Sequence, residues 1–364
     1  MTKRLQNRIA QSSATLPTAC VLTTLLWWLP QGGYSTEYLL GWLLCVLTAY
    51  VVIETAAFNA LLRVRSRMVS SLFLLLMAAC GFLHPISSGT VALFCVALSF
   101  YCLLRTYEAE RPEVDTLHAY LALSLGSLLW SPLLLLTLVQ LWNQGVFLRS
   151  LSWRSFGAAL SGVFLPYALW AAVAFALNDI QPFVDHAVGI IASVLDAFQW
   201  QWLVDLAQTA DWKAFWPQFL AALQARVTSH EPACAALLLV VLLGLTGFVH
   251  YVRSSFDDKI RVRMCHYSFM AMQLVLLLWL ALVPGYFRWL FPLLLLTTAP
   301  AAAHFIAFSR SWQSSAWFLL LLLALLAVGL CTLLFPFLFD WQQPQGDLSI
   351  PSSPLLHLIQ RYIP

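Results

Sequence analysis

The chain has 364 residues, 61% hydrophobic and only 10% charged, with a mean hydropathy of +0.80 and a net charge of +3. Soluble domains carry about a quarter charged residues, so the composition excludes a water-soluble enzyme and predicts an all-α, polytopic membrane bundle. No basic run of nucleic-acid type occurs, and no nucleic-acid partner is expected.

The eight cysteines (Cys20, Cys45, Cys80, Cys95, Cys102, Cys234, Cys265, Cys331) all lie in apolar segments without a C-x-x-C pair. Neither a disulfide framework nor a metal site follows from that pattern, and no cofactor motif is present. Lys3, Arg4 and Arg8 precede the first apolar segment, 14–29. It ends in WWLPQGG without a small-residue cleavage pattern, so it reads as a first span rather than a signal peptide. Spans follow at 38–58, 68–83 and 89–104.

The next stretch, Leu117 to Arg149, is apolar for about thirty residues and broken by Ser131-Pro132. Residues 117–130 reach only about 21 Å as a helix, short of a hydrocarbon core of roughly 30 Å. Proline has no N–H and clashes with the carbonyl four residues back. The segment therefore predicts two short helices, 117–130 and 132–148, that enter and leave by one side, with a cleft under residues 126–132. Irregular backbone at membrane depth needs protein or water to satisfy it. The alternative is one kinked or tilted long span.

Full spans then follow at 156–177, 232–252, 265–283, 289–307 and 316–338, about nine in all beside the hairpin. With the N-terminus cytoplasmic, the inner segments hold 15 lysines and arginines and the outer ones 4, counting the hairpin as returning. This asymmetry obeys the positive-inside rule and places the C-terminus extracytoplasmic. The reading divides the chain into an N-terminal transmembrane module (1–177), an extracytoplasmic amphipathic cap (178–231), a C-terminal transmembrane module (232–338) and an extracytoplasmic tail (339–364).

Within the cap, Val184, Val188, Ile191, Leu195 and Phe198 recur at helical spacing, as do Trp212, Trp216, Phe219, Leu223 and Val227. One-sided stripes of this kind belong to helices packed on the tops of the spans or lying on the outer leaflet.

The spans themselves are nearly free of ionisable groups, which counts against an ion-coupled transporter. Glu54 is expected to pair with the Arg63/Arg65/Arg67 cluster, and His304 has no acid or histidine one turn away. The Arg63/Arg65/Arg67 cluster reads as a topogenic anchor, with binding of an anionic headgroup as the alternative. Chemistry must then sit at a membrane face. Glu37, Asp185 and Glu231 are candidate catalytic bases. Arg226 and Arg288 could grip a phosphate bidentately, while His84 and His230, like His186, could act as acid, base or phosphate ligand. No P-loop, G-x-S-x-G, H-E-x-x-H or G-x-G-x-x-G context occurs.

The run ALSLGSLLWSPLLLLTLVQLW, followed by LRSLSWRSFGAALSGVFLPYALW and preceded by LLRVRSRMVSSLFLLLMAACGFLHPIS, resembles the membrane fold of C-type glycosyltransferases over about residues 60–175. The whole chain also looks like a member of an uncharacterised family of bacterial multi-span inner-membrane proteins. The first resemblance implies an enzyme using a polyprenyl-phosphate-linked sugar at the outer face of the plasma membrane. In that fold an acidic residue or pair occupies a first outer loop; here the loop is QGGYSTE, and Glu37 is its sole acid. Beside this stand a non-catalytic scaffold or assembly partner of an envelope complex, and a small-molecule transporter. The expected partners are membrane lipids, a polyprenyl-phosphate-linked substrate, or another envelope protein.

Overall fold

The computed structural model describes residues 5–28, 35–64, 66–197, 231–309 and 311–338. Among them are thirteen α-helices and no strand: α1 Leu5–Gln11, α2 Thr15–Trp28, α3 Thr36–Phe58, α4 Met68–Ala79, α5 Ser88–Arg105, α6 Pro112–Ser127, α7 Leu136–Val146, α8 Trp153–Ala176, α9 Gln181–Ala197, α10 Glu231–Ser254, α11 Ile260–Leu282, α12 Phe287–Phe308 and α13 Trp312–Leu338. Seven of these (α3, α5, α8 and α10 to α13) contain stretches long and apolar enough to cross a membrane. Helices α2 and α4 lie within the expected spans 14–29 and 68–83 but are shorter apolar helices, 14 and 12 residues long. The chain is a multi-pass helical membrane protein.

Helix α12 is the axis of the bundle, and from Leu290 to Ala307 every residue is buried. Its Ala299-Pro300-Ala301-Ala302-Ala303 run presents almost no side chain, so α10 approaches at Gly247. A Cβ there would stand 2.7 Å from the Ala301 carbonyl carbon. Small residues drive helix association in lipid, where apolar burial gives no net gain.

Contacts sort to two ends. At the basic end, Gln6 donates to the Ser309 carbonyl at 3.0 Å, Arg261 to Asn59 at 3.3 Å and Asn7 to the Ala307 carbonyl at 2.7 Å. At the opposite end, Trp27 donates to the Tyr38 carbonyl at 3.1 Å, and Ile86 N–H to the Glu37 carbonyl at 3.0 Å.

The broken segment is a hairpin. Helix α6 starts five residues earlier than the apolar pattern suggests, because Pro112 occupies the first turn, where its missing N–H has no cost. It runs alongside α8 in the same direction: Ser124 donates to the Val163 carbonyl at 2.8 Å and Ser127 meets the Tyr167 hydroxyl at 2.7 Å. Gly162 permits this approach, since a Cβ there would lie 2.6 Å from the Leu117 carbonyl oxygen. Trp130 is extended, Ser131–Leu135 form a 3-10 turn, and α7 returns. The Thr106 and Ser150 hydroxyls, on the segments flanking the hairpin, lie 2.7 Å apart. The chain therefore enters and leaves this excursion at one end of the bundle.

Candidate functional site

Ionisable side chains from several segments converge at the basic end of the bundle. The turn between α10 and α11 ends at Asp258, whose side chain is fully buried. Arg63, from the loop after α3, donates its Nε–H to Asp258 Oδ1 and lies 3.5 Å from Asp257 through Nη1. His304 of α12 brings Nε2 to 3.3 Å from Asp258 Oδ2, off the hydrogen-bonding axis. Around this pair stand His266 of α11, with Nε2 at 2.9 Å from the Leu61 carbonyl, and Tyr251 of α10, stacked on His266 at 4.2 Å. His250 lies 5.5 Å from His304 between ring centroids. Burial pushes the Asp258 carboxyl up, but His304 and Arg63 outweigh it and hold it below the usual carboxylate range.

Arg63 thus pairs with the α10–α11 turn rather than with Glu54, correcting the expected pairing within that arginine cluster. The core is also not free of ionisable groups: Asp258, His266 and His304 are all buried. The buried polar line continues two turns deeper to Gln273, which donates to Thr298 at 3.0 Å. It stops there. Leu290 and Leu293 to Leu296 of α12, with Leu276 and Leu280 of α11, fill the other half of the bundle. Along α11 and α12 the polar line therefore ends halfway through the bundle.

The second site is the tip of the hairpin, where a cleft was expected under 126–132. Trp130 fills it, stacked on Trp289 at 4.8 Å and Trp279 at 5.8 Å and edge-on to Tyr286 at 5.3 Å. Helix α9 covers the break, and a Cβ on its Gly189 would sit 3.6 Å from Ser131 Oγ. A small apolar cavity of about 10 Å³ deeper in the bundle, lined by Thr55, Phe100, Phe269 and Pro300 among others, has room for about one water.

The sequence candidates fall apart from one another. His84 is buried, stacked on Trp27 at 4.1 Å, with Nε2 at 3.3 Å from the Ala78 carbonyl. Burial pushes it down to about 4, partly countered by the Ala78 and Met77 carbonyls. It packs inside the bundle under Trp27 rather than standing open at the membrane face. Glu37 and Arg288 are exposed and flank one loop from two sides: Glu37 through its carbonyl to Ile86, Arg288 through its carbonyl against Gly89. Asp185 is exposed and accepts from Gln181 at 2.9 Å. His186 is partly buried beside Tyr167 and Trp170, and burial lowers its pKa.

Arg226 and His230 lie outside the described residues, as do the stripe from Trp212 to Val227 and the tail from 339 on. Glu231 opens α10, with its side chain outside them. Of the first cap stripe, Val184 and Val188 are 41% and 57% exposed, while the side chains of Ile191, Leu195 and Phe198 lie outside the described residues.

Among the described residues no group of three or more His, Cys, Asp or Glu side chains could hold a metal ion. Among the described residues no disulfide forms; Cys45, Cys80 and Cys265 are buried, while Cys20 and Cys331 are exposed. No protein-family model matches the chain, and neither any curated protein nor any solved structure matches it.

Proposed function

We propose that the chain is a non-catalytic membrane scaffold that docks another envelope protein in the plasma membrane, with its N-terminus cytoplasmic. The observation that supports this reading is the aromatic cluster at the hairpin tip, where Trp130 stacks on Trp279 and Trp289 in place of the expected cleft. Positioned chemistry needs a substrate held beside its catalytic groups, and Asp185, Glu37 and Arg288 stand exposed on three separate helices. Helix α9 turns Val184 and Val188 outward at the same end, a surface for the partner.

The test is a paired set of variants in cells. Glu37→Ala, Asp185→Ala and Arg288→Ala should leave the phenotype and the co-purifying protein unchanged. V184D/V188D should lose the partner while the protein stays in the membrane. Loss of phenotype in Glu37→Ala or Arg288→Ala with the partner retained would overturn this reading. It would favour a glycosyltransferase-like enzyme for a polyprenyl-phosphate-linked substrate. That second reading draws support from the single loop, residues 84–89, that Glu37 and Arg288 flank.

A further inference from the structure

At the basic end, away from the proposed docking face, two helices bring cations to an aromatic ring on a third. Phe58 closes α3 with 49% of its surface exposed. Arg105, the last residue of α5, places its guanidinium carbon 5.4 Å from the ring centroid, and Arg261 of α11 places its own at 5.1 Å. Arg105 is compensated in charge: its Nε, itself without a hydrogen-bond acceptor, lies 3.5 Å from Asp115, and its Nη1 donates to the Tyr101 hydroxyl at 3.3 Å. Arg261 is not. Its polar partner is the neutral Asn59 amide, its Nε is buried without an acceptor, and no described carboxylate lies within ion-pair distance. Arg263 also has a buried Nε without an acceptor.

The first turn of α11 contains no acid, Lys259 is its N-cap, and Arg261 and Arg263 follow. Cations are thus gathered where the helix dipole is already positive, an unfavourable arrangement unless an anion joins them. The nearby carboxylates, Asp257 and Asp258, are engaged by Arg63. Ala60, two residues after Phe58, has φ of 48°, a strained turn for a residue with a Cβ. It follows Asn59, which accepts from Arg261, and precedes Leu61, whose carbonyl meets His266.

From this we infer that the Phe58–Arg105–Arg261 pocket binds a phosphate-bearing anion at the membrane surface, with Arg261 as the principal contact. Guanidinium groups match phosphate oxygens in pairs, and basic pockets between spanning helices suit anionic headgroups.

The test uses the full chain in detergent, with native mass spectrometry of bound phosphatidylglycerol against phosphatidylcholine, and Arg253→Gln as an exposed control at the same end. Phosphatidylglycerol should be retained at least tenfold more strongly than phosphatidylcholine. That preference should fall at least tenfold in Arg261→Gln and stay unchanged in Arg253→Gln. If Arg261→Gln does not fold, Arg261→Lys, which keeps the charge but not the fork, should lose several-fold. Displacement of the lipid by millimolar inorganic phosphate would assign the site to the phosphate group alone. Failure to displace it would assign it to the whole headgroup, and either result upholds the pocket. Equal retention of the two lipids, or equal loss in Arg253→Gln, would overturn it.

Discussion

The two ends of the bundle close by different physics. At the basic end the lock is ionic: Asp258 ties the loop after α3, the α10–α11 turn and α12 through Arg63 and His304. At the opposite end it is aromatic: Trp130 joins the hairpin tip to α11 and α12 through ring faces. A buried charge cluster is intolerant of losing one member, because the remainder is left uncompensated. An aromatic stack loses area and dispersion but leaves no charge behind. The first end therefore specifies one arrangement, and the second fills a volume.

The largest effect should come from Asp258→Ala. Removing the carboxylate leaves buried His304 without its acid and Arg63, a third exposed, with Asp257 alone, and should cost about 3 kcal/mol. It would be read as a lowered midpoint of thermal unfolding in detergent. Replacing Asp258, Arg63 and His304 together by apolar residues of similar volume should recover most of that loss. Failure to recover would mean that the cluster is more than a lock. Trp130→Ala should come close behind, at about 3 kcal/mol, and should increase labelling of a cysteine placed at position 131. If labelling does not change, α9 rather than the indole seals the tip.

The hairpin was legible from the sequence for a local reason. Ser131-Pro132 interrupts an apolar run too short on either side to span, and the flanking arginines demand a return. Both signals sit within about forty residues. The ionic lock was not legible, because Arg63, Tyr251, Asp258, His266 and His304 come from five segments. Each looks like an ordinary end-of-span residue, and His304 has no partner one turn away on its own helix. The same holds for Trp130 with Trp279 and Trp289, and for His84, which resembles a turn histidine until Trp27 is packed on it. Periodicity reports the faces of one helix at a time; it carries no information on which distant face arrives opposite.

Thr106 sharpens the comparison at the foot of the hairpin. Its hydroxyl is fully buried, donates to the Leu103 carbonyl and meets Ser150. Thr106→Val keeps the shape and removes the link between the chain entering and leaving, at about 1 kcal/mol. Faster amide exchange confined to residues 147–152 would be the accompanying sign. Exchange spreading through α7 would show that the link holds the whole hairpin.

The smallest effect concerns pH at the aromatic end. His84 in the folded chain titrates near 4, below its ordinary 6.5, because burial against Trp27 disfavours the charged ring. The unfolded chain therefore binds the proton more readily between those values, so stability is fully present above about pH 6.5 and declines toward pH 4. At pH 5.5 the loss should be on the order of 1 kcal/mol. His84→Asn, which cannot take up a proton in this range, should lower stability at neutral pH through lost stacking yet flatten the decline between pH 6.5 and 4.5. Because Asp258 sits below the usual carboxylate range, its own contribution should be lost only at more acid pH. A variant that keeps the full decline after His84→Asn would move the proton-sensitive group away from the aromatic end.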